Sequence, residues 1–296
     1  MKTAKTEFFS ENEITEYVNE CENGYLSDVL GALEATRQGG RIITLSGPTC
    51  SGKTTTSLIL DGEFEKCGKT LHTVSIDDFY IDRDILDKRC REKGIPLDYD
   101  SPSTIDFDYF GEVIEAIDKK SSVTLPRFDF TVGKRTGYYD IKITQDDVFM
   151  FEGIQAVYPE CTSLLESHNY TALFISVGED IAYDKVTFGP RELRLLRRIV
   201  RDYRTRNTSP EKTLALWEGV CKNEDAHIFP NLTEEHIYID SSLAYEASVI
   251  KPFAEPLLKS CPDSEAAKKL LKKLENVPPL DAKYVPNGSV FREFIG

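Results

Sequence analysis

The stretch TLSGPTCSGKTTTS, from Thr44 to Ser57, constrains this chain more than any other. It places Gly47, Gly52, Lys53 and Thr54 at the spacing G-x-x-x-x-G-K-[ST], after the β-branched run RIITLSG and before a helix-compatible segment that closes at Gly68. Between a strand and a helix, glycines let such a loop curl its backbone N–H groups inward, and the helix N-terminus adds its dipole, so the loop cradles phosphates. The expected nucleotide-binding residues are Gly47, Pro48, Thr49, Cys50, Ser51, Gly52, Lys53, Thr54 and Thr55. Lys53 would reach the β- and γ-phosphates, and the Thr54 hydroxyl would ligate Mg²⁺.

The segments around the loop set the fold class. TLHTVSIDDFY, DVFMFEGI, YTALFISVG and HIYIDSS read as further strands, with helical stretches over 104–120, 181–206 and 210–225. Strands alternating with helices predict an α/β fold of the P-loop NTPase type, a central parallel sheet flanked by helices. Residues 12–39 are polar, helix-compatible and end at Gly39-Gly40, which predicts an N-terminal helical appendage over 1–39 before a domain over 40–296. Residues from about 121 to 145 read as an inserted β-hairpin with Gly133 at or near its turn. Two helices are expected over about 243–275, followed by a loop-like tail whose apolar end docks on the domain.

With 296 residues, 40% of them hydrophobic, the chain can build a sizeable core. Its net charge of −14 argues against a general nucleic-acid or anionic-membrane partner, because a polyanion is repelled over most of the surface. The seven cysteines include no C-x-x-C pair, so they read as reduced thiols rather than a zinc knuckle or disulfide framework. The N-terminus lacks the apolar core of a signal peptide and no run approaches a membrane-spanning length, which predicts a soluble cytoplasmic protein.

Three further features point at the loop. VSIDDFY ends in Asp77 and Asp78, and DVFMFEGI ends in Glu152. In open α/β sheets, ligands collect beyond the carboxyl ends of the strands. Asp77 there can take a proton from a hydroxyl nucleophile, and Thr54, Asp77 and Glu152 form a candidate Mg²⁺ set. In FGPRELRLLRRIVRDYRTR, residues Arg191, Arg194, Arg198 and Arg201 recur on one helical face with Arg197 close by, while Leu193, Leu196, Val200 and Tyr203 share another. One face can pack on protein while the other presents guanidiniums to a triphosphate, the expected lid over about 181–225.

Together SGPTCSGKTTTS, SIDDFYIDRD, LDYDSPSTIDFDYF, LPRFDFTVGKRTG, FEGI and RLLRRIVRDYRTR resemble the uridine kinase-like nucleoside kinases of the phosphoribulokinase/uridine kinase group. HIYIDSSLAYEASVIKPFAEPLL and the ending VPNGSVFREFIG look like one bacterial branch of it. The resemblance spans roughly residues 40–296. It implies ATP as donor, with GTP left open, Mg²⁺, and transfer of the γ-phosphoryl group to a nucleoside 5′-hydroxyl of the uridine or cytidine type. It also implies roles: Asp77 as general base, Asp100 on the ribose hydroxyls, Tyr80 in the same pocket and Glu152 at the second strand end. Arg194, Arg197 and Arg201 match the catalytic arginines of the lid; Arg204 and Arg206 match less closely.

One departure bears on the acceptor. Uridine kinases carry a hairpin tyrosine and histidine that read the pyrimidine edge; here Phe128 and Gly133 stand at those positions, followed by Lys134 and Arg135. Neither Phe nor Gly offers a side-chain hydrogen bond. The expected acceptor set is Tyr80, Asp100, Phe128, Arg135 and Glu152, with the base itself unassigned. A phosphosugar or pantothenate-like alcohol as acceptor, a non-catalytic nucleotide-binding regulator, and a homo-oligomer all stay open.

Overall fold

A computed structural model describes residues 1–94 and 101–296, so Asp100 lies outside the described residues. The chain begins with β1 (Lys2–Thr3), α1 (Glu11–Gln38), β2 (Ile42–Ser46), α2 (Lys53–Lys66), β3 (Thr70–Ser75), α3 (Arg83–Lys93) and α4 (Phe107–Lys119). It continues through β4 (Ser122–Asp129), β5 (Lys134–Lys142), β6 (Asp147–Glu152), α5 (Pro159–Leu165), β7 (Tyr170–Ser176), β8 (Ile181–Tyr183) and β9 (Val186–Phe188). It closes with α6 (Pro190–Thr205), α7 (Pro210–Asn223), β10 (Ile237–Asp240), α8 (Glu246–Lys259), α9 (Glu265–Leu274) and α10 (Arg292–Ile295).

Five strands form one parallel sheet in the order β10-β7-β2-β6-β3. Because successive residues of a strand point to opposite faces, an unbroken apolar run fills two cores at once. Ile42 of β2 joins Phe149 and Phe151 of β6 on the face covered by α4, α5 and the β4–β5 hairpin. Ile43 and Leu45 join Val148 and Met150 on the face covered by α1, α2, α6 and α8. The strand that carries the phosphate loop, β2, therefore sits in the middle of the sheet, fixed from both sides.

Two expectations change. The N-terminal helix is no appendage, since Val18, Tyr25, Val29 and Leu33 of α1 recur at helical spacing and are buried in the same core as β2 and β6. Each such side chain, fully buried, contributes about 1.5–3 kcal/mol. In addition β1 pairs in parallel with β8, and Lys2 reaches the Asp240 carboxylate at 2.8 Å. Secondly, 181–206 is not one helix. IAYDKVTF alternates apolar and polar residues around Asp184-Lys185 and folds as the antiparallel pair β8–β9, with Ile181, Tyr183 and Phe188 buried. Only then does Pro190, at the first helical position, open α6.

The expected hairpin is present, with Gly133 in its turn at φ +69°. The backbone angle calls for glycine, and a Cβ there would also stand 2.7 Å from Nε of the flexible Arg83 side chain. The tail docks as expected through buried Val290, Phe291, Phe294 and Ile295. Among the described residues no helix is long and apolar enough to cross a membrane.

Candidate active site

The loop from Gly47 to Gly52 joins β2 to α2 with Cys50 at φ +60° and Gly52 at φ +98°. Gly47 allows a close approach, because a Cβ there would meet the Ile175 carbonyl oxygen at 2.1 Å. This tight curl leads into the N-terminus of α2, where backbone N–H groups and the helix dipole favour an anion. Lys53 folds over the loop and donates from Nζ to the Gly47 carbonyl at 2.6 Å, with the Pro48 carbonyl farther off at 3.4 Å. Burial pulls the Lys53 ammonium below the usual lysine range, against the opposing charges of Glu152, Glu293 and Asp77. Among the described residues the Ser51 hydroxyl, in the lining of the cavity over the loop, is buried without a hydrogen-bond partner.

A cavity of about 300 Å³ opens over this loop. Its walls bring together Thr49 to Thr54, Asp77, Tyr80, Glu152, Gln155, Arg201, Arg206 and Glu293. Asp77 and Asp78 follow β3 in a single 3-10 turn and part company there. Asp78 accepts the Phe128 backbone N–H at 2.9 Å and so ties the hairpin down. Asp77 faces the cavity and accepts from Nε2 of Gln155 at 2.8 Å. Burial pushes the Asp77 carboxyl above the ordinary aspartate range, with the Gln155 amide and the Lys53 charge pulling only partly back. Burial raises Glu152 as well, opposed by Lys53 and reinforced by Asp77 and Glu293. Thr54, Asp77 and Glu152 thus share one cavity, a hydroxyl and two carboxylates that suit Mg²⁺ when phosphate oxygens and water complete its shell.

The arginine helix does something other than expected. Arg194 and Arg197 do not face the cavity; they are 1% and 0% exposed. Arg194 makes two bonds to Glu224, at 2.6 and 2.7 Å, and gives a third to the Thr49 carbonyl at 3.1 Å. Arg197 donates to Glu246 at 2.6 Å, to the Ser241 carbonyl at 2.7 Å and to the Cys50 carbonyl at 3.3 Å. A guanidinium enclosed by a buried carboxylate is held in place, so these two brace the loop from behind. Arg201 and Arg206 are the arginines that line the cavity, Arg201 steadied by the Asp202 carboxylate at 2.7 Å. Tyr203, expected on the packing face, is 54% exposed.

Tyr80 links the phosphate cavity to two others. One, of about 300 Å³, is lined by Tyr80, Ile81, Arg83, Phe128 and Phe130. The Tyr80, Phe128 and Phe130 rings stand 5.0–5.7 Å apart, within aromatic contact. The second, of about 530 Å³, includes Arg89, Ser103, Asp106, Arg135 and Tyr138. There Arg135 reaches Asp106 at 3.1 Å and lies over the Tyr109 ring, so it belongs to the wall of this cleft and not to the phosphate cavity. Gln155 and Glu293 enter the site without having been expected. Gln155 stands three residues past Glu152 with no motif to mark it, and Glu293 comes from the opposite end of the chain.

The family model of the Phosphoribulokinase / Uridine kinase family matches residues 42–246. A uridine kinase of Ureaplasma urealyticum is 27% identical over 178 residues, 60% of this chain and 76% of that protein. A uridine kinase of Staphylococcus haemolyticus is 27% identical over 181 residues, 61% of this chain and 77% of its own. Among solved structures, a Silicibacter protein described as a fructose transport system kinase superposes with a TM-score of 0.51. That match covers 74% of this chain and 97% of the other at 19% identity, a likeness of fold.

Proposed function

Because this chain belongs to the phosphoribulokinase/uridine kinase family and is a kinase, we propose that it moves the γ-phosphoryl group of ATP to the 5′-hydroxyl of a nucleoside, uridine and cytidine first. The observation that carries this reading is the position of Asp77. It shares one cavity with Lys53, and Tyr80 on its border also walls an aromatic cavity beside it.

In this reading the loop amides, Lys53 and Arg201 hold the triphosphate. The nucleoside base lies against Tyr80, Phe128 and Phe130, whose faces take a flat ring by stacking. Its 5′-oxygen then approaches the γ-phosphorus from the Asp77 side. The new O–P bond forms as the bond to the β-phosphate oxygen breaks, ADP leaves, and the hydroxyl proton passes to Asp77. Because the transition state is loose, the protein acts mainly by positioning and charge neutralisation. Thr54, Asp77 and Glu152 would hold Mg²⁺, which supplies charge neutralisation at the β- and γ-phosphate oxygens. Gln155 keeps the Asp77 carboxylate aimed into the cavity.

A second acceptor class, a phosphosugar, is favoured by Arg89 and Arg135 in the larger cleft beyond Tyr80. A coupled assay of nucleoside-diphosphate release, ADP from ATP or GDP from GTP, across uridine, cytidine, phosphosugars and pantothenate separates the two. Release that depends on a nucleoside supports the proposal. Release with a phosphosugar or pantothenate alone sinks the nucleoside acceptor and leaves the kinase standing.

A further inference from the structure

The segment 289–296 packs behind the phosphate loop and puts one side chain, Glu293, into the cavity wall. Val290, Phe291, Phe294 and Ile295 are buried, and Arg292 donates to the Val285 carbonyl at 2.5 Å and to the Ala282 carbonyl at 3.0 Å. The Arg197 guanidinium lies 5.0 Å from the Phe294 ring centroid, which ties this segment to the brace behind the loop. Val290 sits so close that a Cβ on Gly52 would meet it at 2.3 Å. With both neighbours fixed, Glu293 is left facing the cavity. Its Oε2 accepts from the Thr55 hydroxyl at 3.3 Å, in the first turn of α2. It lines the same walls as Lys53 and Arg201.

We propose that Glu293 is a residue of the donor site that sets nucleotide affinity, its carboxylate competing with the incoming triphosphate for the Thr55 hydroxyl and for the positive field of Lys53 and Arg201. The proposal rests on the loop as the donor-phosphate site and adds a chain-end carboxylate to it. A carboxylate and a phosphate are both acceptors only, and the Thr55 hydroxyl has one proton to give. At the helix N-terminus the same dipole favours either anion. When a triphosphate enters, its charge meets Glu293 as a like charge in a partly buried site, and binding is weakened by that repulsion.

Glu293→Gln isolates the charge, because the amide oxygen can still accept the Thr55 bond. Mg-ATP and inorganic tripolyphosphate binding is measured by calorimetry for the native chain, Glu293→Gln, Glu293→Asp and Lys53→Ala, each also with chelator in place of Mg²⁺. Melting curves confirm that each variant is folded. Glu293→Gln should bind both ligands about tenfold tighter, with and without Mg²⁺, as the loss of one like-charge contact of this size implies. Glu293→Asp should stay near native affinity, and a lesion of the fold alone would weaken binding. Equal or weaker binding by Glu293→Gln overturns the proposal, and a loss confined to Mg²⁺ would make Glu293 a metal-side group. If native chain and Lys53→Ala are alike in failing to bind, the donor-site reading falls, and this proposal with it.

Discussion

Arg194 and Glu224 form a buried bidentate pair, with bonds of 2.6 and 2.7 Å and almost no exposure of either side chain. Since the same guanidinium also holds the Thr49 carbonyl, the shape of the phosphate loop depends on a contact made outside the cavity.

Removing the guanidinium takes both short bonds from the buried Glu224 carboxylate and leaves it only the more distant Arg191, at 3.9 Å. Arg194→Ala should therefore destabilise the fold by about 3–5 kcal/mol, the usual range for breaking such a pair. Denaturant unfolding followed by circular dichroism measures it. A variant of native stability that has lost only kcat would place Arg194 among the phosphate-facing groups instead.

Asp77→Asn keeps the shape and removes the base. We expect kcat to fall by about 10²- to 10⁴-fold with ATP affinity changed no more than a few-fold, the range for losing a general base. Near-native turnover would contradict the assignment.

The direction of the Asp77 shift gives a pH test with two signs. The base must be ionised, so kcat/KM should fall on the acid side with an apparent pKa above the ordinary 3.8, and this limb should vanish in Asp77→Asn. For stability, a carboxyl raised in the fold keeps its proton longer folded than unfolded. Ionisation therefore disfavours the fold as pH climbs from the unfolded value through the folded one. Asp77→Asn should melt above the native chain at about pH 8, with the gap narrowing toward about pH 4. A gap that widens on acidification would reverse the inferred sign.

The aromatic cavity gives a test of the acceptor. Phe128→Ala should raise the acceptor KM by roughly tenfold, since a stacked base is worth about 1–3 kcal/mol. ATP affinity should be unchanged, because Phe128 does not line the phosphate cavity. An unaltered acceptor KM would move the base to the larger cleft.

What the sequence discloses is what local chemistry writes. The glycine loop, the apolar runs of β2, β6 and β7 and the Gly133 turn are each legible over a few consecutive residues, and so is the acid at the end of β3. What it hides depends on distance along the chain. Glu224 and Glu246 neutralise Arg194 and Arg197 from 30 and 49 residues away, and helical spacing alone cannot tell a braced arginine from one facing a ligand. Glu293 meets Thr55 across 238 residues. The core stripe of α1 is diluted by the acids and asparagine around it, and the three-residue strands β8 and β9 are too short for period two to stand out.

The transfer itself is the most direct test. The purified chain is incubated with ATP, Mg²⁺ and uridine, and both nucleotide products are separated and quantified; 5′-deoxyuridine serves as the acceptor lacking the reacting oxygen. ADP and uridine 5′-monophosphate should form in equal amounts, with nothing from 5′-deoxyuridine, and Asp77→Asn should form both at about one hundredth of the native initial rate or less. ADP that forms equally with 5′-deoxyuridine, or without any nucleoside monophosphate, would contradict the proposed transfer.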